Sequence, residues 1–309
     1  MIPSPDLLLA DPLQALVPGA VLAVLTGVEG PHYRRPGTVM AFLPDGRRVG
    51  QITSGCIEGD LAIHAARAAG DGRARRLRYG DGSPFVDLRL PCGGGIDILL
   101  VPLADVSGVR QALALRSARQ PARLLVDPEA ATVTLAEAET PAPGFILPLR
   151  PPLRIEAAGI GVEAATFAAL AHAAGYPVRL QSPDMATRAA AKARGVPAQP
   201  PGPLATDPWT AVVLFFHDHE IEPPIIAEAL AGPAFYIGAQ GSLRAQAARR
   251  AALADLGVTD DAMARLRGPI GVIRSARDPK VLALSVLAEI VAEDAGRADQ
   301  AVMSISTAR

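Results

Sequence analysis

A regular alternation of strands and helices in the second half of the chain restricts the fold more than any other feature. From Leu153 to Asp294, apolar runs with strand character alternate with segments whose apolar residues recur at helical spacing. Such alternation is typical of a parallel sheet with helices on both faces. We therefore predict an α/β protein in which residues 153–296 form a parallel-sheet domain and residues 297–309 form a frayed tail.

Two glycines sharpen this prediction. Gly159 and Gly161 follow the first of these strands and open a helix in the pattern Gly-x-Gly-x-x-Ala. Glycines at such a turn let a pyrophosphate approach the helix amides, so the pattern predicts a Rossmann-like domain. The acidic residue that usually binds the ribose should end the next strand, where Gln181 stands instead. We expect the fold to be present with weak NAD(P) binding at most.

Two polar segments follow later strands of this half. His217 and His219 come directly after the apolar run 210–216, at the carboxyl end where open α/β sheets bind ligands. Their spacing suits a metal, although such a pair is more often hydrogen-bonded. Gly241, Ser242 and Arg244 follow another strand and suit either a phosphate at a helix start or an ordinary connection. His217, Gly241, Ser242 and Arg244 are therefore candidate cofactor-binding residues.

The first half has a different organisation. Residues 1–140 contain strands, a hairpin pattern and two helical patterns, which predicts an α+β domain with a mixed sheet. Residues 141–152 hold five prolines, which predicts a semi-rigid linker between two domains.

The segment 50–60 has the composition of a site. It places Cys56 beside Gly55, with the carboxylate of Glu58 two residues away, between a strand and a helix. Amides at a helix N-terminus attract anions and lower the pKa of a thiol. Cys56 at such a turn suits a thiolate nucleophile, a soft-metal ligand or a persulfide carrier, whereas the alternative is a small buried apolar residue. We favour a functional cysteine.

Two further loops support this interpretation. Cys92 is followed by Gly93 and Gly94, which let backbone amides approach a ligand closely, although a tight turn would need the same glycines. Arg34 and Arg35 lie in a glycine-flanked loop and suit a phosphate or carboxylate, or a solvated loop.

Composition excludes several classes of function. The net charge of −1 over 309 residues gives no reason to expect nucleic acid or an acidic membrane as a partner. Two cysteines in so long a chain exclude a disulfide scaffold and fit a reducing compartment. The longest early apolar run contains Pro18 and Gly19, so it predicts a strand and neither a leader nor a membrane span. We expect a cytoplasmic protein.

Together these motifs, in this order, resemble the XdhC/CoxI family of accessory proteins for molybdenum hydroxylases such as xanthine dehydrogenase. The resemblance covers nearly the whole chain. The family usually has Asp-Pro-Arg after its second Rossmann strand, where this chain has Ser182-Pro183-Asp184. The motifs that carry the resemblance are Arg35-Pro36-Gly37, Asp45-Gly46, Ser54-Gly55-Cys56-Ile57-Glu58, Cys92-Gly93-Gly94-Gly95, Gly159 with Gly161, His217-Asp218, Gly238-Ala239-Gln240-Gly241-Ser242, Gly268-Pro269-Ile270-Gly271 and Ala283–Ile290.

Membership implies binding of the molybdopterin form of the molybdenum cofactor, its protection during sulfuration of the metal, and its delivery to an apo molybdenum hydroxylase. We further expect a maturation factor without catalytic residues, a homodimer because a large cofactor fits a cleft between domains or subunits, and a cysteine desulfurase as a second partner. Cys56 would be the metal ligand. Two alternatives stay open: an NAD(P)-dependent oxidoreductase using the C-terminal domain, and a metal-dependent hydrolase built on His217 and His219. Copurified pterin and molybdenum, nicotinamide or zinc would distinguish the three.

Overall fold

The structure is a computed structural model that describes residues 8, 10–31, 34–83, 93–137, 144–216 and 221–306, with side chains to residue 297. The chain divides into two compact units, Met1–Pro151 and Pro152–Arg309. Antiparallel sheets form the first and a parallel sheet forms the second, which confirms the predicted α/β class. No helix within the described ranges has the length and apolar character needed to cross a bilayer.

The described part of the N-terminal unit contains three helices and eight strands. Apolar residues alternate with polar ones along several of these strands, as in β6, where every second residue is buried. The elements are α1 (Pro12–Ala15), β1 (Val21–Glu29), β2 (Val39–Phe42), β3 (Arg48–Gly50), α2 (Glu58–Asp71), β4 (Arg75–Gly80), β5 (Gly95–Pro102), α3 (Ser107–Ser117), β6 (Ala122–Asp127), β7 (Thr132–Leu135) and β8 (Phe145–Leu149).

A five-stranded sheet with the order β3-β2-β1-β5-β4 forms the centre of this unit. Helix α2 covers one face, where Ile57, Leu61 and Ala65 pack on residues such as Leu25 and Tyr79. The other face packs against α1, α3 and a three-stranded sheet with the order β7-β6-β8. Burial of these two apolar layers provides the main stabilisation of the unit.

We expected a mixed sheet, whereas every described pairing in this unit is antiparallel. The reason is the long connection through α2. It joins β3 to β4, which point in the same direction, but it carries them to opposite edges of the sheet, where they do not pair.

The segment predicted as a linker, 141–152, contains strand β8. Phe145–Leu149 pairs with β6 at the edge of the three-stranded sheet. Pro148 is exposed there, and an edge strand tolerates proline because one side of it needs no donor. The proline count therefore indicated a linker at residues that belong to the N-terminal unit. Residues 138–143 lie outside the described ranges.

The C-terminal unit alternates strands and helices as predicted. Its elements are β9 (Arg154–Gly159), α4 (Val162–Ala173), β10 (Val178–Gln181), α5 (Met185–Lys192), β11 (Ala198–Gln199), β12 (Thr210–Phe215), α6 (Glu222–Ala231), β13 (Tyr236–Ala239), α7 (Leu243–Asp255), α8 (Asp260–Met263), β14 (Leu266–Arg267) and α9 (Pro279–Ser306).

The six described strands of this unit are all parallel, in the order β11-β10-β9-β12-β13-β14. Counted within the unit this order is 3-2-1-4-5-6, the doubly wound order of dinucleotide-binding folds. The order reverses between β9 and β12, so the ligand crevice of such a fold would lie beyond Gly159 and Phe215, which pair in register.

The frayed tail predicted for residues 297–309 is wrong over much of its length, because α9 continues to Ser306. The segment has no proline after Pro279, and its alanines, methionine and glutamine favour a helix. Gly296 lies inside the helix, where glycine costs only about 1 kcal/mol relative to alanine.

Candidate functional site

One end of the five-stranded sheet gathers the loops that the sequence singled out. Strands β1, β3 and β4 end there and β2 and β5 begin there, as their registers require. We call this end of the sheet the upper end. The loop 30–38 carries Arg34 and Arg35, the loop 51–57 carries Cys56, and the loop 81–94 carries Gly93 and Gly94. Three predicted elements of the site therefore lie at one end of one sheet.

The Cys56 loop is held from inside by Glu58, the first residue of α2. The buried Glu58 carboxylate accepts hydrogen bonds from the Thr53 amide and the Thr53 hydroxyl, both at 2.6 Å, and from the Ile57 amide at 3.2 Å. Arg48 also donates to the Glu58 carbonyl at 3.3 Å. Hydrogen bonds to a charged group are among the stronger ones in proteins. Glu58 therefore shapes the loop, and its carboxylate faces the loop's own backbone.

Cys56 itself is exposed. The preceding residue, Gly55, has a φ of +101°, which favours glycine, and no atom of the described ranges lies within 4 Å of where a Cβ would stand. Helix α2 has 14 residues and begins two positions after Cys56 without a side-chain cap on its first amides. The thiol therefore stands at the start of a helix, where a ligand can reach it. The interpretation of Cys56 as a buried apolar residue is wrong.

The glycine loop and the arginine loop lie side by side. Glu29 and Gly95 pair in register, and a Cβ on Gly30 would stand 3.3 Å from the Cα of Gly94. A Cβ on Gly94 would overlap the carbonyl oxygen of Glu29. Gly94 is therefore required by close approach of the chain, whereas Gly93 has a φ of +73° and no atom of the described residues within 4 Å of a Cβ position. Cys92 lies outside the described residues.

Arg78 of β4 fixes the bases of these two loops. Its guanidinium contacts Glu29 at 2.5 Å, Asp97 at 2.9 Å and the Asp81 carbonyl at 2.9 Å. The hydrogen bond that Arg78 donates to Glu29, together with the charge of Asp97, raises the pKa of Arg78 above its ordinary value. Arg34 and Arg35 are exposed, and the carbonyl of Arg35 accepts from the Thr38 amide and hydroxyl. The arginine side chains thus start from a loop whose backbone is held in place.

Sequence reasoning missed a second cluster beside the Cys56 helix. The Tyr79 hydroxyl donates to Asp60 at 2.6 Å, and His64, one turn further along α2, lies 3.5 Å from the same carboxylate oxygen. Burial, and then the bond to Asp60, raises the pKa of Tyr79. This contact ties the first turn of α2 to the end of β4. The i,i+4 spacing of Asp60 and His64 was a visible signal, but the tyrosine lies 19 residues away.

A metal held by protein ligands alone is not supported within the described ranges. They contain no group of three or more histidine, cysteine, aspartate or glutamate side chains placed to bind one ion. Cys56 can therefore offer a single soft ligand to a metal that arrives with other ligands of its own. His217 and His219 lie outside the described residues.

The glycine turn of the C-terminal unit has its predicted position, and part of it is already bonded within the unit. A Cβ on Gly159 would overlap the Phe215 carbonyl oxygen, and Gly161 has a φ of +94°. The Gly161 amide donates to the Thr187 hydroxyl at 2.9 Å. Thr187 in turn donates through its hydroxyl and its amide to Asp184, at 2.5 and 2.7 Å, which lowers the pKa of Asp184. An amide that a pyrophosphate would use is therefore already bonded.

The end of β10 is also bonded within the unit. Gln181 stands where a ribose-binding acid would be. It is buried, and its side chain hydrogen-bonds the segment that follows β11. Its side-chain oxygen accepts from the Gly202 amide at 2.7 Å, and its nitrogen donates to the Pro203 carbonyl at 3.3 Å. A cavity of about 330 Å³ lies beside Gly161 between α4 and α5, lined partly by Asp184, Thr187 and Arg194.

The turn after β13 forms a regular helix start. Ser242 caps α7 by accepting from the Ala245 amide at 3.2 Å, Gly241 has a φ of +142°, and Arg244 is exposed. Beneath this turn, the fully buried Arg249 forms an ion pair with Glu222 at 2.8 Å and donates to the Gln240 carbonyl at 2.8 Å. The ion pair joins the start of α6 to α7, and the bond to Gln240 ties α7 to the residue that follows β13. Neither residue stood out in the sequence.

Comparisons with known proteins agree over most of the chain. Residues 18–80 match the model of the XdhC and CoxI family, and residues 157–290 match that of the XdhC Rossmann domain. The molybdenum cofactor insertion chaperone PaoD of Escherichia coli strain K12 is 36% identical over 276 residues, which cover 88% of this chain and 82% of PaoD.

Two other relatives are more distant or more local. A Bacillus subtilis strain 168 protein, described as a probable xanthine dehydrogenase subunit, is 48% identical over 42 residues, 14% of this chain and 13% of that protein. A crystal structure described as a xanthine dehydrogenase from Bacillus halodurans superimposes with a TM-score of 0.70 at 21% identity, over 90% of this chain and 92% of the other. At that identity it supports the fold alone. The extent of the match to PaoD, together with both family models, shows that this chain belongs to the XdhC and CoxI family.

Proposed function

We propose that this protein binds the molybdenum cofactor at the upper end of its five-stranded sheet and inserts it into a molybdenum hydroxylase. The observation that carries the proposal is the gathering of an exposed cysteine, an arginine loop and a glycine loop at one sheet end. The relation to a molybdenum cofactor insertion chaperone supports the choice of cargo.

The residues of this end fit such a cargo chemically. Cys56 offers an exposed cysteine sulfur, a ligand type suited to a soft metal or to carrying sulfur. Among the described residues, none comes within 4 Å of a Cβ position on Gly55 or Gly93, and Arg34 and Arg35 supply cations for a phosphate. A metal that comes with an organic cofactor needs few protein ligands, and the Cys56 thiol can supply one. In this proposal Glu58 and Gly94 position the loops and do not touch the cargo.

The finer steps also belong to the proposal. The cargo is the molybdopterin form of the cofactor, the protein shields it during sulfuration of the metal, and it acts as a homodimer. A cysteine desulfurase would supply the sulfur, and the acceptor is an apo molybdenum hydroxylase of the xanthine dehydrogenase type. We propose that the protein is a maturation factor without a catalytic residue of its own.

Replacement of the thiol tests the proposal directly. Cys56→Ala is expected to keep the fold, with a change in unfolding free energy within about 0.5 kcal/mol because the side chain is exposed. It is expected to abolish retention of the cofactor, measured as pterin fluorescence and molybdenum content after gel filtration. Ser54→Ala, an exposed change in the same loop, is the matched control.

The outcome separates the site from the function. A Cys56→Ala variant that retains and delivers cofactor as well as Ser54→Ala would remove Cys56 from the site. Absence of pterin and molybdenum from the unmodified protein, even when it is loaded with isolated cofactor, would overturn the proposed function itself.

A further inference from the structure

Large apolar side chains are exposed together at one place in the C-terminal unit. Val272 is 61% exposed, Ile273 49%, Val281 38% and Leu284 57%. The first two lie in the loop between β14 and α9, and the others lie one turn apart near the start of α9. We call these four residues the Val272 patch. Single exposed apolar residues are ordinary, but such a concentration marks an interaction surface.

The loop of the patch is fixed against α9. The Val272 amide donates to the Ser285 carbonyl at 3.3 Å, and the Ile273 amide donates to the Ser285 hydroxyl at 2.7 Å. The Gly271 amide bonds the carboxylate of Glu289 on the same helix. Ser285 is buried directly beside the exposed Leu284. The loop and the helix therefore present one continuous, preorganised apolar surface.

Cations surround this surface. Arg274, Arg277 and Lys280 are exposed, and within the described ranges none of their side chains forms an ion pair or hydrogen bond. The carboxylate among them, Asp278, accepts from the amides of Lys280 and Val281 at the start of α9. An apolar centre with an excess of unpaired positive charge at its rim fits a partner with apolar residues edged by carboxylates.

We propose that the Val272 patch docks the acceptor protein, through an apolar surface that carries acidic side chains at its rim. The proposal rests on the proposed function, because an insertion chaperone has to contact the enzyme it serves. A second copy of this chain is a poorer occupant. A twofold dimer through the patch would bring the same three cations face to face, and like charges across an interface are unfavourable.

The test measures binding to a purified, cofactor-free molybdenum hydroxylase from the same organism by biolayer interferometry. Val272→Asp and Leu284→Asp are each expected to weaken binding at least about tenfold, because they place a charge in the apolar centre. Arg277→Glu is expected to slow association and to reduce its dependence on salt. Leu256→Asp, at a residue that is 53% exposed at the end of α7, is the matched control and should bind normally.

The two proposals fail in different ways. Unchanged binding by Val272→Asp and Leu284→Asp would overturn the docking surface, whether or not the protein carries cofactor. Sedimentation that shows a dimer broken by Val272→Asp, with hydroxylase binding intact, would assign the patch to a second copy and overturn it as well. Failure of the unmodified protein to retain the cofactor would count against the proposed function alone.

Discussion

The two glycine-rich regions of this protein match their sequence patterns equally well, yet they differ in what surrounds them. At the upper end of the N-terminal sheet, no atom in the described part of the chain lies within 4 Å of a Cβ position on Gly55 or Gly93, and Cys56 is exposed. At the carboxyl end of the parallel sheet, Gly159 lies against the Phe215 backbone, and the Gly161 amide is bonded by Thr187. A glycine can leave room for a ligand or for the protein itself, and only the neighbouring atoms decide which.

The two regions also use buried carboxylates differently. Glu58 accepts from uncharged donors of its own loop, whereas Glu222 is paired with a fully buried guanidinium. The first arrangement shapes a loop that carries an exposed thiol. The second joins two elements of the C-terminal unit and leaves a charge uncompensated if either partner is lost. We therefore expect loss of the Glu222 carboxylate to have the larger effect on stability, and loss of the Glu58 carboxylate to have the larger effect on cofactor retention.

The largest effect is expected from Glu222→Gln. It leaves the Arg249 charge buried without its partner and should lower the free energy of unfolding by about 3–5 kcal/mol. Glu58→Gln keeps an acceptor in the Cys56 loop and should cost about 1–2 kcal/mol. Urea unfolding measures both, with fluorescence of Trp209, the one tryptophan, reporting on the C-terminal unit and circular dichroism on the whole chain.

Cofactor retention should reverse that order. Glu58→Gln loosens the Cys56 loop and is expected to reduce retention and to change the rate at which a thiol reagent labels Cys56, whereas Glu222→Gln should change neither at temperatures where it is folded. Equal stability losses in the two variants, or a labelling rate unaffected by Glu58→Gln, would break the comparison.

Local patterns predicted most elements but not how they are bonded to one another. Apolar periodicity predicted the helix after Cys56, the hairpin β6–β7 and the alternation of the second half. The position of Cys56 between a strand and a helix followed from the same patterns. Each of these features depends on residues close together in the chain, so it is visible in the sequence.

What the sequence did not predict depends on distant residues. Thr187 bonds Gly161 across 26 positions, and Gln181 bonds Gly202 across 21. Fold class predicts that β9 and β10 are neighbours, but it does not predict which side chain will accept a hydrogen bond from the Gly161 amide. Proline number likewise indicated a linker where Pro148 takes an edge position. Tertiary context overrode local preference in each case.

A smaller effect is expected for NAD at the glycine turn of the C-terminal unit. Because Gln181 replaces the ribose carboxylate, binding lacks charge-assisted hydrogen bonds worth about 1.5–3 kcal/mol each, which corresponds to about ten- to a hundredfold in affinity. Isothermal titration calorimetry with NAD and NADP should therefore detect no micromolar binding. Micromolar affinity would show that Thr187 gives up the Gly161 amide, and it would revive an oxidoreductase that uses the C-terminal unit.

The smallest effect tests a feature that the two regions share, a buried tyrosine that donates to a carboxylate. Tyr79 bonds Asp60 at 2.6 Å and Tyr236 bonds Glu289 at 3.1 Å, and in both cases burial raises the pKa of the phenol. The unfolded chain ionises tyrosine near pH 10, so it releases protons that the folded chain keeps, and stability falls as the pH rises through that value. Spectrophotometric titration should find Tyr79 and Tyr236 resistant until alkaline unfolding, so either Tyr79→Phe or Tyr236→Phe should lower the number of resistant tyrosines by one. At neutral pH each change should cost about 1 kcal/mol. A variant with an unchanged number of resistant tyrosines would show that the replaced tyrosine is open to solvent. For Tyr79, that result would mean that its bond to Asp60 does not tie the first turn of α2 to β4.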